Sequence, residues 1–274
     1  MIDVAELYVQ RTGRGRPILC MHGGMGFDQS TLRPWLDPLT DAYELIFYDH
    51  QGNGRSASPA DWSTIDHASW VRDAELLRTR LGLGRVVLFG HSWGGFLAQE
   101  YALRHPEALA GLILCSTAPA LDYPEQIVAN ASARGTAEQV AALGRAFSEP
   151  QADDAALGEL MRTIGSLYFH RPQAAVVHSV FADVRYSAAA FNRALFHCAG
   201  TFDTRARLHE VRAPTLLVGG SDDWIMPAAF GIERIAREIP HADVHIINDA
   251  GHFPFVEKTD EFIATIRQWL KGLP

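Results

Sequence analysis

The stretch Gly90-His91-Ser92-Trp93-Gly94-Gly95 decides how the rest of the chain is read. It follows Arg85-Val86-Val87-Leu88-Phe89, an apolar run of strand length, and precedes Phe96 to His105, which reads as a helix. A strand that turns sharply into a helix strains the residue at the turn and crowds the positions two before and two after it. Gly90 and Gly94 remove the side chains there. Ser92 then stands at the tip, its hydroxyl pointing out of the sheet. The helix beginning at Trp93 directs free N–H groups and its positive dipole end at any negative charge that develops beside Ser92. Gly-x-Ser-x-Gly between strand and helix is the setting that exposes a nucleophilic serine. Outside that setting it would be a glycine-rich turn with an incidental serine.

Upstream, Glu6 to Arg11 alternates weakly, as an edge strand does, and Pro17 to Met21 is a short apolar strand. That strand ends in His22-Gly23-Gly24-Met25-Gly26. No Gly-Lys-Ser/Thr follows and the Gly-x-Gly-x-x-Gly spacing is absent, so phosphate binding is disfavoured. A glycine loop also lets backbone N–H groups approach a reacting carbonyl, and Gly24 is the expected donor, with the N–H of Trp93 as its partner. Ser30 to Leu39 carries Pro34 and Pro38, so any helix there is short or broken. Tyr43 to Tyr48 is a strand, and Asp49 to Ser56 a turn that Asp49 and Arg55 pin by hydrogen bonds; His50 reads as a surface or loop-bracing residue, with a place in the pocket lining as the less common alternative. Asp66 to Leu81 is an amphipathic helix stopped by Gly82, and Leu109 to Cys115 a buried strand.

Strand and helix alternate in a way that predicts an α/β fold, a mostly parallel central sheet with helices on both faces. The pattern changes between Pro119 and Arg207. That Ala-rich stretch reads as short helices over Pro124–Arg134, Ala137–Phe147, Ala155–Tyr168, Pro172–Asp183 and Ala188–His197. The expected organisation is a core over 1–118, an inserted helical cap over 119–207, and a second core portion over 208–274. Inserts at the carboxyl ends of parallel strands sit over the site. The core resumes with a strand over Pro214–Gly219, a helix bearing Ile232, Ile235, Ala236 and Ile239, a strand over Asp243–Ile247, and a closing helix over Asp260–Leu270 that buries Phe262, Ile266 and Trp269.

A serine hydroxyl is a poor nucleophile near neutral pH and needs an adjacent base. His252 fits, because it lies in a loop after the last strand, whereas His245 lies within that strand and His241 before it. A buried carboxylate must then hold the imidazole in one tautomer. Asp222 and Asp223, after the preceding strand, are both candidates. Asp249 reads as a brace for the His252 loop. Met25, Phe27, Trp93, Trp224 and Phe253 flank these loops and are the expected substrate contacts, with Tyr123, Phe147, Tyr168 and Phe181 available from the cap.

The chain of 274 residues has 47% apolar content and a net charge of −8. Lys258 and Lys271 are its only lysines, its arginines are scattered, and a nucleic-acid partner is not expected. Met1 to Leu7 lacks the charged-then-apolar pattern of a signal peptide, and no apolar run reaches the roughly eighteen residues of a membrane helix, so the expected location is cytoplasmic and no membrane partner is expected. Cys20, Cys115 and Cys198 are odd in number and widely spaced, and read as free thiols.

The order Ser92, Asp, His is that of the α/β-hydrolase family. Gly220…Asp223…Pro227 resembles that family's Gly-x-x-Asp-x-x-x-Pro acid turn, which selects Asp223 over Asp222. His22-Gly23-Gly24, Asp49-x-x-Gly52-x-Gly54-x-Ser56 and Gly251-His252 fall in family order as well. The resemblance implies an α/β-hydrolase fold and a serine hydrolase with Ser92, His252 and Asp223 as catalytic residues, Gly24 and Trp93 as oxyanion donors, and no metal or organic cofactor. It implies a small ester, lactone or short peptide as substrate. Within the family, His22-Gly23-Gly24-Met25-Gly26 looks like the His-Gly-Gly-Pro-Gly loop of proline iminopeptidases, with Met25 in place of Pro. Those peptidases hold the substrate's free amine with cap glutamates. Glu125, Glu138, Glu159 and Asp183 lie in the cap here, and no one of them is singled out. The sequence therefore predicts a carboxylesterase-like hydrolase, with an aminopeptidase as the alternative and a non-catalytic receptor as a third reading.

Overall fold

Side chains that alternate along the strands divide the core into two layers, one on each face of a single sheet. The computed structural model describes residues 6–274. The strands are β1 (Val9–Gly13), β2 (Arg16–Met21), β3 (Tyr43–Tyr48), β4 (Val86–His91), β5 (Leu109–Cys115), β6 (Thr215–Gly220) and β7 (Asp243–Ile247), in the spatial order β1-β3-β2-β4-β5-β6-β7. β1 runs antiparallel to β3, and every other pairing is parallel. The edge strand expected over Glu6–Arg11 is therefore real but starts later, at Val9. Most of the reading made for Met1–Leu7 lies outside the described residues.

The buried central strands read as continuous apolar runs because helices cover both faces. Leu19, Leu88, Leu112 and Leu114 pack with α1 (His67–Arg80) and α2 (Trp93–Arg104). Asp66 caps α1 by accepting the Ser69 N–H, and the Ser69 hydroxyl accepts the Asp66 N–H in return. The insert between β5 and β6 holds α3 (Pro124–Arg134), α4 (Ala137–Ser148), α5 (Asp154–Ile164), α6 (Ala174–Phe181) and α7 (Ala188–Arg193). The single helix read over Ala155–Tyr168 is α5 followed by a tighter turn at Gly165–Tyr168, where Phe181 packs against Gly165. After β6 come α8 (Ile232–Glu238), the short α9 (Pro254–Glu257) and α10 (Thr259–Lys271). On the second face Cys20, Val87, Phe89 and Ile113 meet Phe262, Ile266 and Leu270 of α10. Truncating a fully buried ring such as Phe262 removes about 3–5 kcal/mol. Trp269, read as buried, is only partly so. All three cysteines are buried and free.

Strand order places the site. The chain goes from β2 outward to β3, then returns to β4 on the other side of β2. The carboxyl ends of β2 and β4 therefore flank the crevice where the winding reverses, and ligands bind at such a switch point. The His22–Gly26 loop leaves β2 there and Ser92 follows β4. The helical insert is tied across this crevice. Ser187 N–H donates to the Gly26 carbonyl at 2.8 Å, Arg185 N–H to Asp28 Oδ2 at 3.1 Å, and Arg193 Nε to the Ile65 carbonyl at 2.7 Å.

Candidate active site

Ser92 sits at φ 53°, ψ −119°, a conformation non-glycine residues rarely hold. Such a residue stores about 1–3 kcal/mol of strain and persists only where its surroundings over-determine it. They do so here. A Cβ on Gly94 would overlap the carbonyl oxygens of Met21 and His22, and one on Gly90 would strike the Gly94 carbonyl and Ala98. Ser92 N–H donates to the Cys115 carbonyl and Thr117 Oγ1 donates to the Ser92 carbonyl, each at 2.9 Å.

His252 lies in the loop between β7 and α9. Its N–H donates to the Tyr168 carbonyl at 2.7 Å, so the insert holds this loop. Its Nδ1 stands 2.7 Å from Asp223 Oδ2. The other carboxylate oxygen, Oδ1, accepts the N–H groups of Ile225 at 3.1 Å and Met226 at 2.9 Å. Both side chains are buried, His252 3% and Asp223 1% exposed. A carboxylate fixed on both oxygens and bonded to Nδ1–H leaves the imidazole lone pair on Nε2, the arrangement that lets an imidazole take a proton. Asp222 turns the other way, with Oδ2 3.0 Å from His170 Nδ1. Asp249, at φ 53°, accepts no bond from His252; its N–H donates to Ser221 Oγ and its carboxylate lies 3.6 Å from His170 Nε2. His241 contacts the Ala213 carbonyl and His245 contacts Glu261, away from Ser92.

Three further histidines are buried here, and His50 is one of them rather than a surface residue. His50 N–H donates to His22 Nε2 at 3.2 Å and the two rings lie 4.1 Å apart, so its loop-bracing role is made from inside. Burial holds His22 and His50 below the ordinary imidazole range. His91 is held well below it too, by burial first and by the neighbouring His252 second. Asp49 pins its turn as expected, accepting the N–H groups of Gln29 at 3.0 Å and Arg55 at 2.8 Å. Arg55 contributes its backbone, while its guanidinium lies over the Tyr8 ring.

Gly24 has φ +71°, and the Phe27 ring fills the space a Cβ would need. Trp93 opens α2, its ring 5.8 Å from Trp70 and 5.2 Å from His67. Ser92, His252, Gly24 and Trp93 all line one cavity of about 970 Å³, open solvent at its mouth included. Met25, Phe27 and Phe253 line it as well. Trp224 does not, which corrects the expectation that it contacts substrate. It is 1% exposed and packs edge-on against Tyr168 at 5.4 Å. Its neighbours Ile225 and Met226 face the cavity instead. Among the insert aromatics, Phe147, Tyr168 and Phe181 reach the cavity, while Tyr123 packs against Phe230 and donates to the Ile225 carbonyl.

Among the described residues no Asp, Glu, Lys or Arg lines this cavity; its titratable groups are His91, His252 and the Tyr168 phenol. Glu125, Glu138, Glu159 and Asp183 are all solvent-exposed. Among the described residues no group of three or more His, Cys, Asp or Glu is placed to hold a metal ion, and no helix is long and apolar enough to cross a membrane.

The chain is 30% identical to a proline iminopeptidase of Pestalotiopsis fici over 93% of its own length and 91% of the relative's. It is 27% identical to a proline iminopeptidase of Clostridium botulinum, covering 94% and 91%. Among solved structures, a thermophilic esterase from Thermogutta terrifontis superposes with a TM-score of 0.76 at 26% identity, covering 97% of this chain and 93% of that one. A family model of the alpha/beta hydrolase fold matches residues 16–259. The chain is a hydrolase and belongs to the α/β-hydrolase fold family.

Proposed function

We propose that this chain is a serine carboxylesterase that works through an acyl-enzyme. Ser92 Oγ attacks the ester carbonyl while His252 Nε2 takes its proton. Asp223 holds the imidazole and stabilises its charged form. The N–H groups of Gly24 and Trp93 receive the developing oxyanion, and removing one such donor typically costs about 3–4 kcal/mol of transition-state stabilisation. The proton on His252 passes to the leaving alcohol. Water, deprotonated by His252, then attacks the acyl carbonyl and frees the carboxylic acid and Ser92.

The observation that carries the ester reading over an aminopeptidase is a cavity wall that holds no Asp or Glu among the described residues. An aminopeptidase must bury its substrate's ammonium group, and an unpaired buried charge costs several kcal/mol. The acidic candidates of the insert are exposed and outside the cavity wall. The iminopeptidase relatives favour the second reading, release of an N-terminal residue. Initial rates on p-nitrophenyl butyrate and prolyl-p-nitroanilide, measured side by side, separate the two. The ester reading expects ester cleavage with negligible anilide cleavage; dominant release from the prolyl anilide would overturn it.

A further inference from the structure

The cavity around Ser92 has two chemically different ends. Most of its polar groups, the glycine loop, Thr31, His91, Ser92 and His252, come from the sheet domain, and the insert adds Tyr168. Its remaining wall runs into the insert between α3, α4 and α5, where Ile127, Leu143, Ala146, Leu160, Met161 and Ile164 line it. Leu143, Ala146 and Phe147 follow helical i, i+3, i+4 spacing and so share one face of α4. Exposure rises along that face. Leu143 is 6% and Ala146 4% exposed, while Phe147 is 43% exposed and still lines the cavity. The apolar wall of this arm therefore runs from the buried Leu143 and Ala146 to Phe147, on the outer side of the insert. Ala146 is the smallest side chain that α4 presents to it. Met25, Met161 and Met226 add unbranched thioethers, which adapt to flexible ligands.

A substrate of acetyl size would leave this arm empty. We propose that the arm binds an extended apolar chain of the substrate ester, of medium length or longer, and that Leu143 and Ala146 set the length it accepts. The inference rests on the ester-hydrolase reading and names the substrate class of that site. The chain enters as the acyl group or as the alcohol group. Both present the same run of methylenes to the same wall.

The test is kcat/KM over two series: p-nitrophenyl esters from acetate to decanoate, and acetate esters of alcohols from ethyl to decyl. Each buried methylene is expected to raise kcat/KM about fourfold until the arm is filled. A rise in the first series places the chain on the acyl side, and a rise in the second on the alcohol side. Ala146→Trp should lower the long-to-short ratio of kcat/KM in the responsive series by at least about tenfold. Leu143→Ala should move the optimum to longer chains. Ala141→Trp, on the exposed side of α4, should leave the ratio where it is. Cleavage of short esters with no length dependence in either series would overturn the arm while leaving the esterase intact. Cleavage of no ester at all, acetates included, would overturn both.

Discussion

The Nε2 of His91 lies 2.9 Å from the backbone carbonyl oxygen of His252, so the residue before the serine holds the loop that carries the proposed base. The two rings are 4.9 Å apart, and burial keeps His91 neutral. A neutral imidazole with its proton on Nε2 donates to that carbonyl without placing a second positive charge beside His252. His91 is thus a positioning residue for the His252 loop.

Replacing His91 should misplace the base rather than weaken substrate binding. His91→Leu is expected to lower kcat about tenfold or more, the value of one buried hydrogen bond, with KM little changed. His91→Gln, which keeps an N–H donor, should recover part of the loss. Steady-state kinetics on an ester that the wild type cleaves checks both. A loss confined to KM, or no rescue by Gln, would count against this role.

The two adjacent aspartates should behave very differently. Asp223 meets His252 at 2.7 Å, while Asp222 pairs with His170 at 3.0 Å on a partly exposed surface. Asp223→Asn favours the wrong imidazole tautomer and should reduce kcat by about 10⁴. Asp222→Asn alters a partly exposed contact to His170, worth at most about 1 kcal/mol, and should change kcat by less than about fivefold. The reverse ranking would move the acid to Asp222.

Asp73, on α1, gives a pH-dependent stability. It is 2% exposed, one of its carboxylate oxygens has no partner among the described residues, and burial pushes its pKa up to about 7, with Arg72 opposing in part. An unfolded aspartate titrates near 4. Between roughly pH 4 and 7 the native state holds a proton that the unfolded state has released, so stability falls as pH rises through that window. Asp73→Asn should therefore gain about 2–4 kcal/mol over wild type at pH 8, and much less at pH 5. Urea unfolding at the two pH values measures it. An equal difference at both would show that the carboxylate does not titrate differently in the two states.

Most of the sheet domain was legible in the sequence because the central strands are bounded apolar runs and the loops around Ser92 carry glycines whose positions the packing demands. β3, β5 and β7 begin and end where the patterning places them. The order of Ser92, Asp223 and His252 was legible too, since it depends on which strand each residue follows. Side-chain direction was not. Trp224 and Met226 are neighbours on one loop, yet Trp224 is packed away behind Tyr168 while Met226 faces the cavity. His50 read as a surface or loop residue because nothing in one sequence reveals the ring of His22 waiting beneath it. Leu157, Leu160, Met161 and Ile164 form one buried stripe of α5, and helical spacing alone would give such a buried face but not what that face looks onto. The apolar arm lies between α3, α4 and α5 and exists only once they are assembled.

The claim at the centre of the account is that Ser92 is the nucleophile. Initial rates of ester hydrolysis by wild type and Ser92→Ala, with circular dichroism to show that both are folded, test it most directly. The account predicts a loss of about 10⁴-fold or more in kcat with the fold intact. A folded Ser92→Ala protein that hydrolyses esters at close to the wild-type rate would contradict it.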